Sequence, residues 1–355
     1  MSGNVLLRGL CIVVYLSVPL MGCSDSSLGV SPSDLVCVNA GWFEMGRSYE
    51  GGEDDDERPL HRVYLDEYAI GRFPVTNQQF VEVLNWALKK GILQNSEGTA
   101  YDGDEIYAYG KPLADTVNTG LGSQINAGIE KFEVLVRKGY GNQQFSMEQH
   151  PMQHVTWYGA VVYCNWLSEI HQLQPCYDTI TWTRINPLPD GYRLPSEAEW
   201  DRAAAWDGKK QWRYGISSDE LDVSHANYYA EDYANPMGFT TMPFTSPVGW
   251  YNGLNPVKLS DPERITIRGT SPAGCFDMAG NIWEWCHDWY GEDYYAKSGI
   301  ANPIGPLTGT YRVGRGGSWR YSATYCRAAD RYYNWPEYCS RYQGFRIAIS
   351  PPPPR

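Results

Sequence analysis

Residues 320–343 combine aromatic rings with small polar groups in a way that suits binding chemistry. The run reads RYSATYCRAADRYYNWPEYCSRYQ. Rings of this kind give a large contact area with few rotatable bonds, while small polar side chains supply adaptable hydrogen bonds. We therefore predict a ligand-binding surface in this run. The predicted ligand-binding residues are Arg320, Tyr321, Ser322, Thr324, Tyr325, Asp330, Tyr332, Tyr333, Asn334, Trp335, Glu337, Tyr338, Ser340 and Tyr342.

The spacing of these aromatics bears on whether they are buried. Neither a period of two nor one of 3.6 residues organises them, so a single buried strand or helix face explains them poorly. The alternative is that two or three of the rings fill the protein core. Core positions are predicted for the framework residues of this region, which are Trp319, Ala323, Cys326, Ala328, Ala329 and Phe345.

Composition and charge limit the class of partner. The chain has 355 residues, a formal net charge of −12, 27 tyrosines and 14 tryptophans. An acidic chain without clustered Lys and Arg cannot neutralise phosphates, so we expect no nucleic-acid partner. Rings with a polar tip are favoured where one end is buried and the other is wet. The expected partner is a protein or a glycan at the cell surface.

The cysteines show no recognisable metal-site spacing. Apart from Cys11 and Cys23 the chain has seven of them, with no CxxC pair and no Cys/His zinc motif. The sequence therefore predicts no sulfur-ligated metal. An exported protein could form disulfides, but the sequence leaves their pairing open.

The first 36 residues have the pattern of an exported, lipid-anchored protein. An apolar run from Gly9 to Met21 is too short to span a bilayer but suits a signal peptide, predicted over residues 1–22. Cys23 closes the run in a sequence that resembles a bacterial lipobox, and residues 23–36 form a polar tether. The expected product is a membrane-anchored lipoprotein at the outer membrane or cell surface. The alternative is an ordinary secretory signal in which Cys23 is incidental.

Three stretches carry helix-start signals that would frame a single large domain. Thr76 precedes apolar residues at helical spacing, and a second amphipathic helix is predicted from Thr156. A Pro-Ser pair before Glu197 introduces a third helical stretch. The remaining residues 207–355 have short apolar runs broken by Gly, Pro and Asn. We expect irregular coil and short strands there, with an extended tail at 350–355.

Several segments together resemble the formylglycine-generating-enzyme, or sulfatase-modifying-factor, family. The resemblance implies an α+β domain of C-type lectin fold over residues 37–349, with two helices and a twisted sheet carrying much irregular coil. The matching segments occur in the family's order and are AGWFEMG (40–46), RPLHRVYLDEYAIGRFPVTNQQF (58–80), HVTWYGAVVYCNWLS (154–168), GYRLPSEAEWDRAA (191–204), FDMAGNIWEWCHDWY (276–290), RVGRGGSWRYSATYCRAADR (312–331) and GFRIA (344–348).

The family's oxidase chemistry needs residues that this chain lacks. The resemblance implies a copper-dependent oxidation that uses two cysteines five positions apart after a Gly-Gly-Ser run. Two soft thiolates can hold copper(I) and leave room for a substrate thiolate. Here the corresponding stretch, 316–326, contains Cys326 alone, and Cys339 lies too far along the chain to replace the missing partner. We predict no catalytic site and no catalytic cofactor.

The resemblance also implies a structural calcium site. Its motif matches Asp277-Met-Ala-Gly280-Asn-Ile282-Trp-Glu284. Asp277 and Glu284 would bind through carboxylates, and Gly280 and Ile282 through backbone carbonyls, which suits a hard cation. The alternative is a tight turn followed by a buried strand.

Within the family, the chain is similar to the variable lipoproteins of diversity-generating retroelements. Those proteins place a lectin-type fold behind a lipobox and end in a variable segment. Its frame matches Gly316-Gly-Ser-Trp319, Ala323, Cys326-Arg-Ala-Ala329, Arg331, Pro336 and Gly344-Phe-Arg346. The resemblance implies a lipid-tethered ligand-binding protein with a Tyr-rich site. The alternatives are an oxidase with an altered metal centre and a non-catalytic structural lipoprotein.

Overall fold

N-cap residues in the sequence mark where the three α-helices begin. In a computed structural model, α1 spans Asn77–Lys90, α2 Trp157–Ile170 and α3 Glu197–Ala205. The side chains of Thr76, Thr156 and Ser196 each accept a hydrogen bond from the first turn, as N-cap residues do. The three predicted helix starts are therefore confirmed, and the described residues contain three helices where the family resemblance implied two.

The structure describes residues 30–31, 34–50, 55–117, 120, 122–230 and 235–350. The predicted signal peptide at 1–22, Cys23, most of the tether at 23–36 and residues 351–355 of the tail lie outside them. Within the described ranges, no helix is long and apolar enough to cross a membrane.

Short strands form two four-stranded sheets and several hairpins. The strands are β1 Leu35–Val38, β2 Gly41–Met45, β3 His61–Leu65, β4 Tyr68–Gly71, β5 Ile106–Ala108, β6 Lys111–Ala114, β7 Ile125–Asn126, β8 Glu133–Val134, β9 Val136–Lys138, β10 Gln144–Ser146, β11 Tyr177–Asp178, β12 Thr183–Arg184, β13 Tyr192–Arg193, β14 Pro256–Lys258, β15 Asp261–Ile265, β16 Trp283–Trp289, β17 Arg312–Arg315, β18 Tyr332–Asn334, β19 Gln343–Phe345 and β20 Ala348–Ile349. The first sheet has the order β1-β4-β20-β13, and the second β18-β17-β16-β19.

The second sheet carries residues 320–343. This segment leaves β17, forms a 3₁₀ turn at Ala323–Cys326, returns as β18 on the sheet edge and ends in β19. β18 pairs antiparallel with β17, whereas β19 runs parallel to β16 on the other side. Both ends of the segment are thus fastened into one sheet, while its middle lies at the edge.

The core beneath this sheet is built from large side chains. Trp285 and Phe345, on β16 and β19, are fully buried against α1 and α2. Trp200 on α3 is fully buried in a second cluster with residues of the first sheet. Burial of this kind stabilises each helix mainly through its apolar face. The segment 320–343 therefore rests on a closely packed support.

Candidate ligand-binding site

Two framework arginines inside the segment anchor it to the rest of the protein. Arg327 forms a two-pronged ion pair with Glu57, with N–O distances of 2.7 Å for both prongs. Arg331 does the same with Glu197, at 2.7 and 3.0 Å. All four side chains are buried. Removal of one partner from such a pair leaves an uncompensated buried charge, so these contacts hold the backbone of the segment in one position.

The ionisation of Glu197 fits this role. Burial opposes its charged form, but Arg331 and Arg315 offset burial and lower the pKa of the carboxyl below its ordinary value. Arg315, on the neighbouring strand β17, also donates to Asp201 at 3.0 Å and to the backbone carbonyl of Ala328 at 2.8 Å. The anchoring network thus links α3, β17 and the segment.

One group of tyrosines in the segment packs over a buried tryptophan. Tyr332 stacks on Trp283 with ring centroids 4.7 Å apart, and Tyr321 meets Trp283 edge-on at 5.6 Å. Tyr342 lies 5.5 Å from Tyr321, and its hydroxyl is 3.0 Å from that of Tyr338. Burial, followed by the neighbouring hydroxyls, raises the pKa of Tyr321 well above its ordinary value. The Tyr321 hydroxyl therefore stays neutral and acts as a hydrogen-bonding group rather than as an acid or base.

A second group of rings lies beside the first. Tyr333 stacks on Tyr290 with centroids 4.0 Å apart, and Tyr311 contacts both Tyr333 and Trp335, at 5.2 and 5.3 Å. Successive residues of a strand point to opposite faces, so Tyr332 and Tyr333 of β18 belong to different groups. Trp283, Tyr290 and Tyr311 lie outside the predicted segment. Sequence reasoning missed them because only the sheet pairing places them beside it.

The segment shows a graded exposure. The predicted site residues that are exposed are Arg320, Ser322, Thr324, Tyr325, Tyr333, Trp335 and Glu337. Those that are half-buried are Tyr321, Tyr332, Asn334, Tyr338 and Tyr342. Trp335 leaves 54% of its surface open, and Tyr325 and Tyr333 leave 43% each. Exposed rings of this kind, with charged and hydroxyl groups beside them, have the composition of a binding site.

Two predicted ligand-binding residues are corrected by the structure. Asp330 is buried, and its carboxylate lies 3.1 Å from the Arg327 guanidinium, so it supports the anchor. Ser340 is also buried, and its backbone carbonyl accepts a hydrogen bond from the His154 N–H at 2.8 Å. Both belong to the framework because their polar groups are committed to internal contacts.

The framework predictions around them hold in the main. Trp319, Cys326, Ala328, Ala329 and Phe345 are all buried. Ala323 is only half-buried. Burial raises the pKa of the Cys326 thiol above its ordinary value. Among the described residues, Cys164, Cys176, Cys275, Cys286, Cys326 and Cys339 are free thiols.

The residues of the implied calcium motif take part in an internal ion pair. Both oxygens of Glu284 accept hydrogen bonds from Arg346, at 2.5 and 2.6 Å, and one also accepts from the indole N–H of Trp200 at 2.7 Å. A guanidinium thus neutralises the carboxylate that a calcium ion would use.

The other ligands of that motif are similarly engaged. Asp277 accepts a hydrogen bond from the Gly249 N–H at 2.7 Å, and burial raises the pKa of its carboxyl to about 6. The carbonyl of Gly280 accepts from the N–H of Ile282 at 2.9 Å. These contacts fit an ion-paired turn better than a calcium site, and the calcium assignment stays a prediction.

The family follows from a direct comparison with known proteins. A model of the sulfatase-modifying factor enzyme 1-like domain matches residues 25–351. The chain belongs to this family. The formylglycine-generating enzyme of Thermomonospora curvata is 29% identical over 328 residues, which cover 89% of this chain and 93% of that protein.

Other proteins similar to this chain differ from it in name and in length. The serine/threonine-protein kinase pkn1 of Chlamydia caviae is 32% identical over 318 residues, covering 89% of this chain. The chain spans only 38% of that relative's length. Treponema denticola variable protein 1 shares the fold, with a TM-score of 0.56, 22% identity and coverage of 89% of this chain and 95% of that one. The relatives found by sequence are therefore named as enzymes, whereas a protein named as a variable protein shares the fold.

Proposed function

We propose that this protein is a lipid-anchored, non-catalytic ligand-binding protein that displays the aromatic surface of residues 320–343 at the cell surface. The observation that carries the proposal is the difference in burial between residues of the segment. Its framework side chains other than Ala323 are buried, whereas Tyr325, Tyr333 and Trp335 remain exposed between them. Exposed aromatic anchors on a rigid support lose little conformational freedom on binding, so they favour affinity.

The chemistry of the surface indicates the class of ligand. Large exposed rings stack on the faces of sugars and on the apolar parts of proteins, and the hydroxyls of Tyr338 and Tyr342 can pair with polar groups at the margin. Arg320 and Glu337 add one charge of each sign at the exposed edge. The partner that fits is a protein or a glycan, and the net charge of −12 disfavours a nucleic acid.

The oxidase alternative receives less support from this chain. The stretch 316–326 contains a single cysteine, Cys326, and its thiol is buried under Gly317. Copper chemistry in the family requires two thiolates with an open position for the substrate, and the single cysteine of this stretch can supply only one of them. The similarity to the variable protein of Treponema denticola, by contrast, agrees with a displayed surface.

The proposal is tested by screening the purified protein against glycan and surface-protein arrays, followed by titration of each hit. A Tyr333→Ser/Trp335→Ser double variant should lose at least tenfold in affinity, because truncation of an aromatic anchor costs about 2 kcal/mol or more. An Ile180→Ser/Leu254→Ser variant, which removes exposed apolar side chains outside the segment, serves as the matched control. Hits that survive the aromatic double variant unchanged would place the binding surface elsewhere.

A further inference from the structure

Three potential metal ligands from distant parts of the chain meet beside the aromatic surface. Asp115 follows β6, His154 precedes α2, and Cys339 lies within the segment 320–343. Oδ2 of Asp115 is 3.3 Å from Nδ1 of His154 and 3.1 Å from Sγ of Cys339. One ligand atom from each residue lies within 4.8 Å of the other two.

These separations are close to those of a bound ion. Tetrahedral zinc has bonds of about 2.0–2.2 Å to nitrogen and oxygen and about 2.3 Å to sulfur, so neighbouring ligand atoms lie roughly 3.3–3.6 Å apart. The Asp115–His154 and Asp115–Cys339 distances need to change by no more than about 0.5 Å to reach that geometry. The two contacts of Asp115 are thus close to the spacing of zinc ligands, and the ligand atoms of His154 and Cys339 lie within 4.8 Å of each other.

The types of donor select the class of metal. One thiolate, one imidazole and one carboxylate suit a borderline divalent transition metal, whereas calcium and magnesium prefer oxygen alone. Three protein ligands leave a fourth position open, and the Asp115 side chain retains 32% exposure. Water or a polar group of a ligand could fill that position.

The surrounding backbone holds the three residues together. The N–H of Asp115 donates to the carbonyl of His154 at 2.8 Å, and the N–H of His154 donates to the carbonyl of Ser340 at 2.8 Å. The His154 side chain is buried, so its imidazole is held in place beside Asp115.

We propose that Asp115, His154 and Cys339 form a binding site for a divalent transition metal of the Zn²⁺ class. The ion would fasten the carboxy-terminal part of the segment 320–343 to the framework. This inference does not depend on the proposed ligand binding, because the three side chains come together whatever the aromatic surface contacts.

The site is tested with the full chain in detergent and with Co²⁺ and Zn²⁺ as the only added metals. One equivalent of Co²⁺ should produce the d–d absorption of a tetrahedral site together with a thiolate-to-cobalt charge-transfer band, and Zn²⁺ should abolish both. At a hundredfold excess of Zn²⁺ over its Kd, the Tm should rise by about 5 °C.

Variants separate this site from adventitious binding. Cys339→Ser should lose the charge-transfer band, and His154→Gln should weaken Co²⁺ binding at least tenfold. Cys37→Ser removes an exposed cysteine elsewhere and should behave like the wild type. If Cys339→Ser fails to fold, Asp115→Asn provides the second test, since it keeps the shape of the side chain while weakening the site. No spectral change in the wild type, or a band that persists in Cys339→Ser, would overturn the proposal.

Discussion

Neighbouring residues of the segment 320–343 have different energetic roles. Tyr325 is 43% exposed, whereas Tyr332 stacks on the fully buried Trp283. The same substitution, tyrosine to serine, should therefore change the free energy of unfolding by different amounts at the two positions. Tyr325→Ser should change the free energy of unfolding by no more than about 0.5 kcal/mol, as surface changes do. Tyr332→Ser should cost about 2 kcal/mol through lost burial and stacking.

Urea denaturation of both variants measures this difference, with Trp319→Ala as the framework reference. Trp319 is buried, so its truncation opens a cavity and should cost about 3–5 kcal/mol. If Tyr325→Ser proves as destabilising as Trp319→Ala, the exposed rings belong to the core and the case for a displayed surface fails.

The Glu284 carboxylate is ion-paired with the guanidinium of Arg346. Arg346 also donates to the backbone carbonyls of Gly71 and Phe276, at 2.7 and 3.0 Å. Arg346→Met should therefore destabilise the protein by about 3–5 kcal/mol, because it leaves Glu284 buried without a counter-charge. A calcium chelator should leave the Tm of the wild type within about 1 °C of its value in calcium. A clear calcium-dependent rise in Tm, measured by calorimetry, would instead support the ion that the family resemblance implied.

At the scale of the element, a buried carboxyl on β16 contacts the start of α3 and should make stability depend on pH. Oδ2 of Asp288 accepts a hydrogen bond from the N–H of Glu197, the first residue of the helix, at 2.9 Å. Burial, followed by the charge of Glu197, nevertheless raises the pKa of Asp288 to about 8. An unfolded aspartate titrates near about 3.9. Between these values the folded protein binds a proton that the unfolded chain does not, so stability falls as pH rises through this window.

Asp288→Asn should therefore make the fall in the free energy of unfolding shallower between about pH 4 and pH 8. Asparagine keeps an oxygen that can accept the hydrogen bond from Glu197, so the helix start is retained. Asp293→Asn is the matched control, because that carboxyl is solvent-exposed and its pKa is lowered by Lys297. Parallel pH profiles for the wild type and Asp288→Asn, measured by urea denaturation, would show that Asp288 is already ionised in this range.

The elements differ in how far the sequence alone could predict them. Helix starts were predictable because N-cap signals such as Thr76 and Ser196 act within one turn. The strand β18 was not predictable. It covers only the three residues Tyr332–Asn334, which is too short for an alternation of apolar and polar residues to be recognised among the surrounding aromatics. Its buried neighbour Trp283 joins the site through sheet pairing, which no local spacing reveals.

Some roles depend on the tertiary fold and could not be predicted from the sequence. The sequence around Asp330 does not reveal whether its carboxylate faces a ligand or an arginine of the same chain. Only the tertiary fold shows that it contacts Arg327. The cluster of Asp115, His154 and Cys339 likewise has no motif spacing, because its members come from three separate regions. The sequence therefore predicted no sulfur-ligated site where the fold assembles a candidate.

At the scale of the whole molecule, the side chains that hold the segment 320–343 in place are different from those that it exposes to solvent. Buried ion pairs of Arg327 and Arg331 fasten the segment to Glu57 and Glu197, far earlier in the sequence. Substitutions at exposed positions such as Tyr325 and Trp335 leave these pairs intact. A fold built in this way could accept changes at these exposed positions without losing its support, as the proposed ligand-binding function would require.

Such a surface is useful only where it can meet its partner, and the predicted anchor at Cys23 would hold it at the membrane. The apolar run before Cys23 ends where a polar tether begins. Lipid on this cysteine would keep the domain on the membrane without a spanning helix. Cys23→Ala should therefore release soluble protein or accumulate uncleaved precursor, measured by detergent partitioning and mass. Cys37→Ala, an exposed cysteine within the domain, should remain in the detergent phase like the wild type. Unchanged partitioning of Cys23→Ala would mean that the signal is an ordinary secretory one or that another segment provides the anchor.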